Sequence, residues 1–200
     1  MNIAVIGTGN IGGTLGRRWA ERGHTVVFGT RDPKRPAIRE LLAAAGPHAR
    51  AAGVAEAVTA AEVVLIAVPA PAVRELIAQA GDWHGKILID AANRFNPPSP
   101  SLSEEIAGWA AGARVVKAFN SIGAEVQADP AFGAQQADAF LCGDDADAKS
   151  VVAGLAGDIG LEPVDAGPLA NAPLLDNLTR LWMALARSLG RGIAFKLLRR

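Results

Sequence analysis

The chain has no tyrosine, one cysteine, three histidines and only 5% aromatic residues. Without a phenol it lacks the hydroxyl acid on which short-chain reductases depend. The lone Cys142 forms no intrachain disulfide, and no His or Cys cluster has zinc spacing, which argues against a secreted disulfide scaffold or a structural zinc module. No apolar run approaches the roughly 18 residues of a membrane span. No basic leader precedes the first apolar run, Asn2 to Ile6, so the expected setting is soluble and cytoplasmic. An excess of one charge is missing too: 20 Lys plus Arg balance 20 Asp plus Glu, giving no support for a nucleic-acid partner.

What is present is a chain of 200 residues, half of them hydrophobic, enough for a core that folds without staples. Short apolar runs alternate with alanine-rich helical segments, the period of βαβ units. Strands are predicted at Asn2 to Ile6, Thr25 to Phe28, Val63 to Val68, Lys86 to Asp90, Arg114 to Ala118, Ala137 to Cys142 and Leu161 to Asp165, with a weak one at Ala49 to Ala52. The run from Val63 to Val68 has no polar alternation, as a strand covered on both faces should. Helix ends are marked by Gly23 and Gly81, by Pro71 at a first turn, and by Ser101 and Glu104 at capping-box spacing. After Asp165 the pattern changes to a loop with Gly167, Pro168 and Pro173. Leu174, Leu178, Leu181, Trp182, Leu185 and Leu189 then recur at helical spacing. The expected fold is α/β: a doubly wound, mostly parallel Rossmann-type sheet over residues 1–165, with a helical appendage over 168–200. The stretch Asn96 to Pro100 reads as a stiff loop.

Gly7-Thr8-Gly9-Asn10-Ile11-Gly12 matches G-x-G-x-x-G directly after the first strand. It opens a helix with Ile11, Leu15 and Trp19 on one face, the context of a dinucleotide-binding turn. Gly7 would serve the tight turn, Gly9 the approach of a pyrophosphate and Gly12 the close seating of the helix, whose amino end attracts phosphate. At the end of the second strand, where an NAD site places a carboxylate, stand Gly29, Thr30 and Arg31. Arg31 suits a 2′-phosphate or the adenine face, with Lys34 or Arg35 as a second charge. This favours NADP(H). The competing readings are an Arg31–Asp32 surface ion pair and Asp32 on the ribose of NAD.

Ligands of open α/β sheets sit beyond the carboxyl ends of the strands. The loops expected there begin at Val68-Pro69, Asp90-Ala91-Ala92-Asn93, Asn120-Ser121 and Gly167-Pro168. His24, His48 and His84 each precede a strand and belong at the opposite edge. Lys117 is the best remaining proton donor, but its place inside a strand also fits an ion pair. A site without an evident acid points to hydride transfer onto a flavin-like ring, governed by positioning.

With these features the chain resembles the coenzyme F420-dependent NADP oxidoreductases over nearly its whole length. The likeness lies in Gly7 to Gly12, in Gly23-His24-Thr25-Val26-Val27-Phe28-Gly29-Thr30-Arg31 and in Cys142-Gly143-Asp144-Asp145. It continues in Asp165-Ala166-Gly167-Pro168-Leu169-Ala170-Asn171 and Gly192-Ile193-Ala194-Phe195-Lys196. The resemblance implies a homodimer that moves hydride between NADPH and the deazaflavin F420, with FMN as a related acceptor. It puts Thr8, Gly9, Asn10 and Ile11 at the pyrophosphate and Thr30, Arg31 and Arg35 at the 2′-phosphate. The loops with Val68 and Pro69, Ala91 and Asn93, and Ala118 and Asn120 would border the nicotinamide. Two other readings remain: a reductase of small carbonyls or imines, and a non-catalytic NADP(H)-sensing module acting through the basic C-terminal helix. Residues 125–176 carry ten acids and one base, and 177–200 six bases and no acid. The stripe from Leu174 to Leu189 fits intrachain packing or a dimer contact.

Overall fold

The computed structural model describes residues 1–94 and 100–200, so the stiff loop expected at Asn96 to Pro100 lies, save Pro100, outside the described residues. Six strands form the parallel part of one sheet: β1 (Asn2–Ile6), β2 (Thr25–Gly29), β3 (Ala49–Ala52), β4 (Val63–Ile66), β5 (Ile87–Asp90) and β6 (Arg114–Ala118). A two-stranded hairpin, β7 (Ala131–Phe132) and β8 (Gln135–Gln136), precedes β9 (Asp138–Gly143) and β10 (Glu162–Asp165). The large sheet has the order β10-β9-β6-β5-β4-β1-β2-β3. Its central strands are apolar on both faces. Ile3 and Val5 of β1 and Val63 and Leu65 of β4 pack with Leu15 and Trp19 on one side. Ala4, Ile6, Val64 and Ile66 pack with Val73, Ile77 and Ile106 on the other. This is why the pattern from Val63 to Ile66 shows no polar alternation.

The helices around the sheet are α1 (Asn10–Glu21), α2 (Pro36–Ala45), α3 (Val54–Thr59), α4 (Ala70–Gln79), α5 (Leu102–Trp109), α6 (Ala124–Ala128), α7 (Ala146–Asp158) and α8 (Ala172–Leu189). Their expected ends hold. Pro71 lies in the first turn of α4, and Ser101 and Glu104 form a reciprocal capping box at α5. Trp19, fully buried, donates its indole N–H to the Leu155 carbonyl at 2.9 Å and meets Phe119 edge-on, ring centres 5.7 Å apart.

One feature departs from the βαβ expectation: β9 pairs antiparallel with β6, while β10 runs parallel to β9. A parallel neighbour needs a crossover element that spans the strand length. The five-residue α6 is about 8 Å long, half the length of a five-residue strand, so the chain returns in the opposite direction. The consequence is a correction. The Gly167 to Asn171 loop, expected on the ligand side, lies toward the amino edge of β1–β6 with the Cys142 to Asp145 turn, to which it is tied: Gly143 N donates to the Gly167 carbonyl at 3.0 Å and Leu169 N to Asp144 at 2.8 Å.

From that edge α8 crosses back over the sheet. Ala172 and Leu175 pack on Cys142, Asp176 meets Lys117 on β6, and Thr179 meets Asn120 just beyond β6. Lys117 is fully buried. Its ammonium lies 2.8 Å from the Ala92 carbonyl, 3.0 Å from Asp176 and 3.3 Å from Asp90. Burial opposes its charge, yet attraction from Asp90 and Asp176 outweighs this and raises its pKa above the usual lysine value. Asp90 is held further by the Ser103 hydroxyl at 2.6 Å and the Ala92 N–H at 2.9 Å. Asp176 has the ion-pair distance without hydrogen-bond geometry, and burial pushes its carboxyl above the ordinary range despite Lys117. The expected ion pair at Lys117 is therefore present, and it fastens α8 to the sheet.

Two outcomes follow for stability. Lys117→Met strands two buried acids and should cost about 3–5 kcal/mol, read as a lower urea midpoint. The folded state also holds the Asp176 proton more tightly than the unfolded chain does. That contribution is full below the ordinary aspartate value of about 3.9 and is lost as pH rises through the higher folded value. Denaturation profiles from about pH 4 upward should show wild type losing stability relative to Asp176→Asn. Parallel profiles would contradict this.

Candidate functional site

The carboxyl edge of β1, β2 and β4 opens into a cleft of about 480 Å³ lined by Gly7, Thr8, Thr30, Arg31, Arg35, Val68 and Pro69 among others. The turn after β1 is built from glycine for reasons the coordinates make explicit. Gly7 has φ +107°, a left-handed conformation, and a Cβ there would lie 2.3 Å from the Ala67 carbonyl oxygen. A Cβ on Gly12 would sit 1.9 Å from the Gly7 oxygen, so the Gly12 contact is with the turn itself. Gly9, by contrast, faces open space. It is the N-cap of α1 without a side-chain cap, and the first turn carries no acid. The amides of Asn10, Ile11 and Gly12, ahead of the first helical bond from Gly13 N to Gly9 O, are thus free for an anion.

Past β2 the cleft carries Arg31 and Arg35, both exposed. Among the described residues neither is ion-paired, so the surface pair Arg31–Asp32 does not form; Asp32 instead accepts from the Lys34 N–H at 3.1 Å. Gly29 also bears on packing: a Cβ there would lie 2.4 Å from the Ile6 Cδ1 and 3.1 Å from Ala57, so a larger residue would oblige the Ile6 side chain to shift. The opposite wall, which sequence reasoning did not assign, is α4, with Ala72, Glu75, Leu76 and Gln79; Gln79 donates to Glu75 at 2.9 Å. Their exposed face gave the only signal.

The remaining predicted residues gather beyond β5 and β6. Ala91 and Ala118 are buried, and Asn93 and Asn120 face each other across the strand ends, with Asn120 Nδ2 3.1 Å from Asn93 Oδ1. Phe119, between Ala118 and Asn120, has φ +63°, the one described non-glycine residue in the left-handed region. Thr179 and Asp176 join this edge from α8, invisible to a strand-by-strand reading because antiparallel β9 brings them there. The three histidines are elsewhere: His24 pairs with Asp158 at 2.9 Å, His48 precedes β3, and His84 packs near Gly112. Among the described residues there is no group that could hold a metal and no helix long and apolar enough to cross a membrane.

A glycine turn between the first strand and a helix amino end, at the carboxyl edge of a mostly parallel sheet, defines a Rossmann-type dinucleotide-binding fold. The family described as NADP oxidoreductase, coenzyme F420-dependent, matches residues 2–94. The F420-dependent NADP reductase of Methanothermobacter marburgensis is 30% identical over 207 residues, covering 92% of each chain. A crystal structure from Arthrobacter sp. FB24, provisionally assigned as an F420-dependent NADP reductase, is 34% identical with a TM-score of 0.90 and full coverage of both chains. Metalloreductase STEAP3 of Rattus norvegicus is 34% identical over 178 residues, 85% of this chain but only 34% of that protein, so the chain spans about a third of that relative's length. The chain belongs to the F420-dependent NADP reductase family, and NADP(H) is its cofactor.

The residues fit that cofactor: open space at Gly9, free amides at α1, and free cations at Arg31 and Arg35. Arg31→Ala should weaken NADPH binding about 10- to 100-fold, as loss of a charged hydrogen bond of about 1.5–3 kcal/mol implies. NADH affinity should stay within about twofold. Equal losses for both nucleotides by calorimetry would refute the assignment.

Proposed function

We propose that the protein transfers hydride between NADP(H) and a deazaflavin of the F420 type or a flavin. The observation that carries this reading is a cleft with unpaired cations for a 2′-phosphate beside a strand-end edge poor in proton donors. When bound, NADPH supplies the hydride. The chain's own residues bind, orient and screen. Arg31, Arg35, Thr30 and the α1 amides hold the phosphates. Val68 and Pro69 offer small apolar surface for flat rings, and the loops that follow the buried Ala91 and Ala118, with Asn93 and Asn120, border them. Lys117, the strongest potential proton donor nearby, is fully buried with its charge engaged. An acceptor that delocalises the incoming electron pair within its own ring suits such a site, because it requires little acid catalysis from the protein. A carbonyl or imine acceptor would place greater demand on a donor.

Residues 168–200 fit a role as dimerisation element and acceptor border, set on the dinucleotide-binding unit of residues 1–165. On α8, Leu174, Leu181 and Leu189 are exposed and Leu178 and Leu185 half-buried, an apolar stripe at helical spacing that a second copy would cover. The names of the relatives support the acceptor class: two F420-dependent NADP reductases of Methanothermobacter share 30–31% identity with the chain.

Anaerobic spectrophotometry of NADPH with F420 and, separately, with FMN tests the proposal. Oxidation at 340 nm coupled to bleaching of one acceptor is expected. Stoichiometric NADPH binding with turnover of neither would sink the deazaflavin or flavin reading, and a further lack of NADPH oxidation with simple carbonyls would leave a sensing module.

A further inference from the structure

We infer that Glu75 and Gln79 on α4 read the polar edge of the adenine ring, Glu75 accepting from its 6-amino group and Gln79 donating to the ring nitrogen beside it. The pair thereby selects the base that the dinucleotide must carry. The inference rests on the NADP(H) reading above and concerns the end of the cofactor that cations alone cannot specify. Arg31 and Arg35 suit a phosphate, but a phosphate is the same on any purine nucleotide.

Helix α4 walls the cleft with Ala72, Glu75, Leu76 and Gln79, at i, i+3, i+4 and i+7. These positions share one helical face. The face divides into two rows. Ala72 and Leu76 form an apolar row on which a flat ring can lie, and Glu75 and Gln79, one turn apart, form a polar row beside it. Both polar side chains line the cleft and are exposed, so a ligand entering from solvent reaches them.

The two polar side chains are already joined. Gln79 Nε2 donates to Glu75 Oε1 at 2.9 Å. A carboxylate only accepts, so this contact turns the nitrogen end of the Gln79 amide towards Glu75. Left over are the second carboxylate oxygen, which has no partner among the described residues, and the second amide proton. An acceptor and a donor therefore stand side by side. Adenine carries the complementary pair, its 6-amino donor next to a ring-nitrogen acceptor.

Charge points the same way. An acid on the wall of a cleft that takes a phosphorylated ligand repels that ligand unless it meets a donor on it. The other acid of the lining, Asp32, stands on the arginine side and is engaged by its own loop, accepting from the Lys34 N–H at 3.1 Å. Glu75 faces the cleft from the opposite wall, and among the described residues no cation pairs with it. One wall thus suits the phosphate and the other the amine. A purine with oxygen at position 6 would set that oxygen against the Glu75 carboxylate.

Calorimetric titration with NADP⁺ and with its deamino analogue, in which hypoxanthine replaces adenine, tests this. The two share phosphates and nicotinamide and differ at the purine edge. Wild type should bind NADP⁺ about tenfold tighter, the lower end of what one hydrogen bond to a charged group supplies. Glu75→Gln has an amide that can donate to the 6-oxo group as well as accept from the amine, and should bring the ratio to about twofold or less, as should Glu75→Ala. Gln79→Ala should lower it to about threefold. Both sites are exposed, so the variants should melt within about 2 °C of wild type. A wild type that binds NADP⁺ without preferring it to the analogue overturns this inference alone. So does a Glu75→Gln protein in which both affinities change by one factor, since Glu75 would then act only as a charge. Failure of wild type to bind either dinucleotide overturns the cofactor reading and this inference with it.

Discussion

A fully buried ammonium, Lys117, ties the sheet to its last helix. Taking a lysine out of water is costly unless opposite charge surrounds it, and here the two acids come from separate parts of the chain: Asp90 from the neighbouring strand and Asp176 from α8. The register of β5 against β6, which sets Asp90 opposite Lys117, brings the first acid. Only the docking of α8 brings the second. The position of α8 is therefore specified by charge as well as by the apolar contacts of Ala172 and Leu175, and it fixes where Thr179 stands one helical turn further on. Apolar packing alone tolerates small slides of a helix; an ion pair at 3.0 Å tolerates fewer.

That arrangement depends on the reversal of strand direction after β6. Had β9 continued parallel, the chain would leave β10 on the cofactor side and α8 would start there, pointing away. Because α6 is too short to carry a crossover, β9 and β10 run backwards and the chain leaves β10 at the far edge. The following helix then runs back along the strands and passes Gly123, where Trp182 closes on the backbone so tightly that a Cβ would lie 2.7 Å from its ring. The C-terminal segment locks the end of this path: the Trp182 indole donates to the Ile193 carbonyl at 2.8 Å, and Lys196 pairs with the buried Asp138 at 2.8 Å.

How much of this the sequence discloses depends on the range of the interaction. Local signals read well: the apolar runs of β1 and β4 without polar alternation, the capping box at Ser101, and the glycine turn from Gly7 to Gly12. The weak strand at Ala49 to Ala52 is present too, because pairing with β2 supplies what its own composition lacks. Signals that depend on strand direction do not read, since an apolar run such as Ala139 to Cys142 looks the same in either polarity. Placing the Gly167 loop on the ligand side followed from that ambiguity, and the same ambiguity hid Asp176 and Thr179. Gly29 shows a subtler limit. Its lack of a side chain is visible, but how closely Ile6 and Ala57 pack behind it is seen only in three dimensions.

The two ends of the site are made of different physical material, and this follows from what each must hold. An anion is drawn from solvent over long range, so cations suited to one can stay exposed and hydrated, as Arg31 and Arg35 are. A neutral ring amide offers no such long-range attraction. It can be oriented only by a fixed dipole whose own alternatives are exhausted, and fixing a dipole requires burial and several simultaneous hydrogen bonds. Loops at strand ends rarely supply those alone. Beyond β6 the carbonyl of Leu175 and the hydroxyl of Thr179 supply such bonds to the buried Asn120 from a long helix, and that helix is in turn held by the charge at Lys117. The edge beyond β6 consequently depends on the integrity of the whole sheet, while the glycine turn and the Arg31 loop depend mainly on β1, β2 and the turn between β1 and α1.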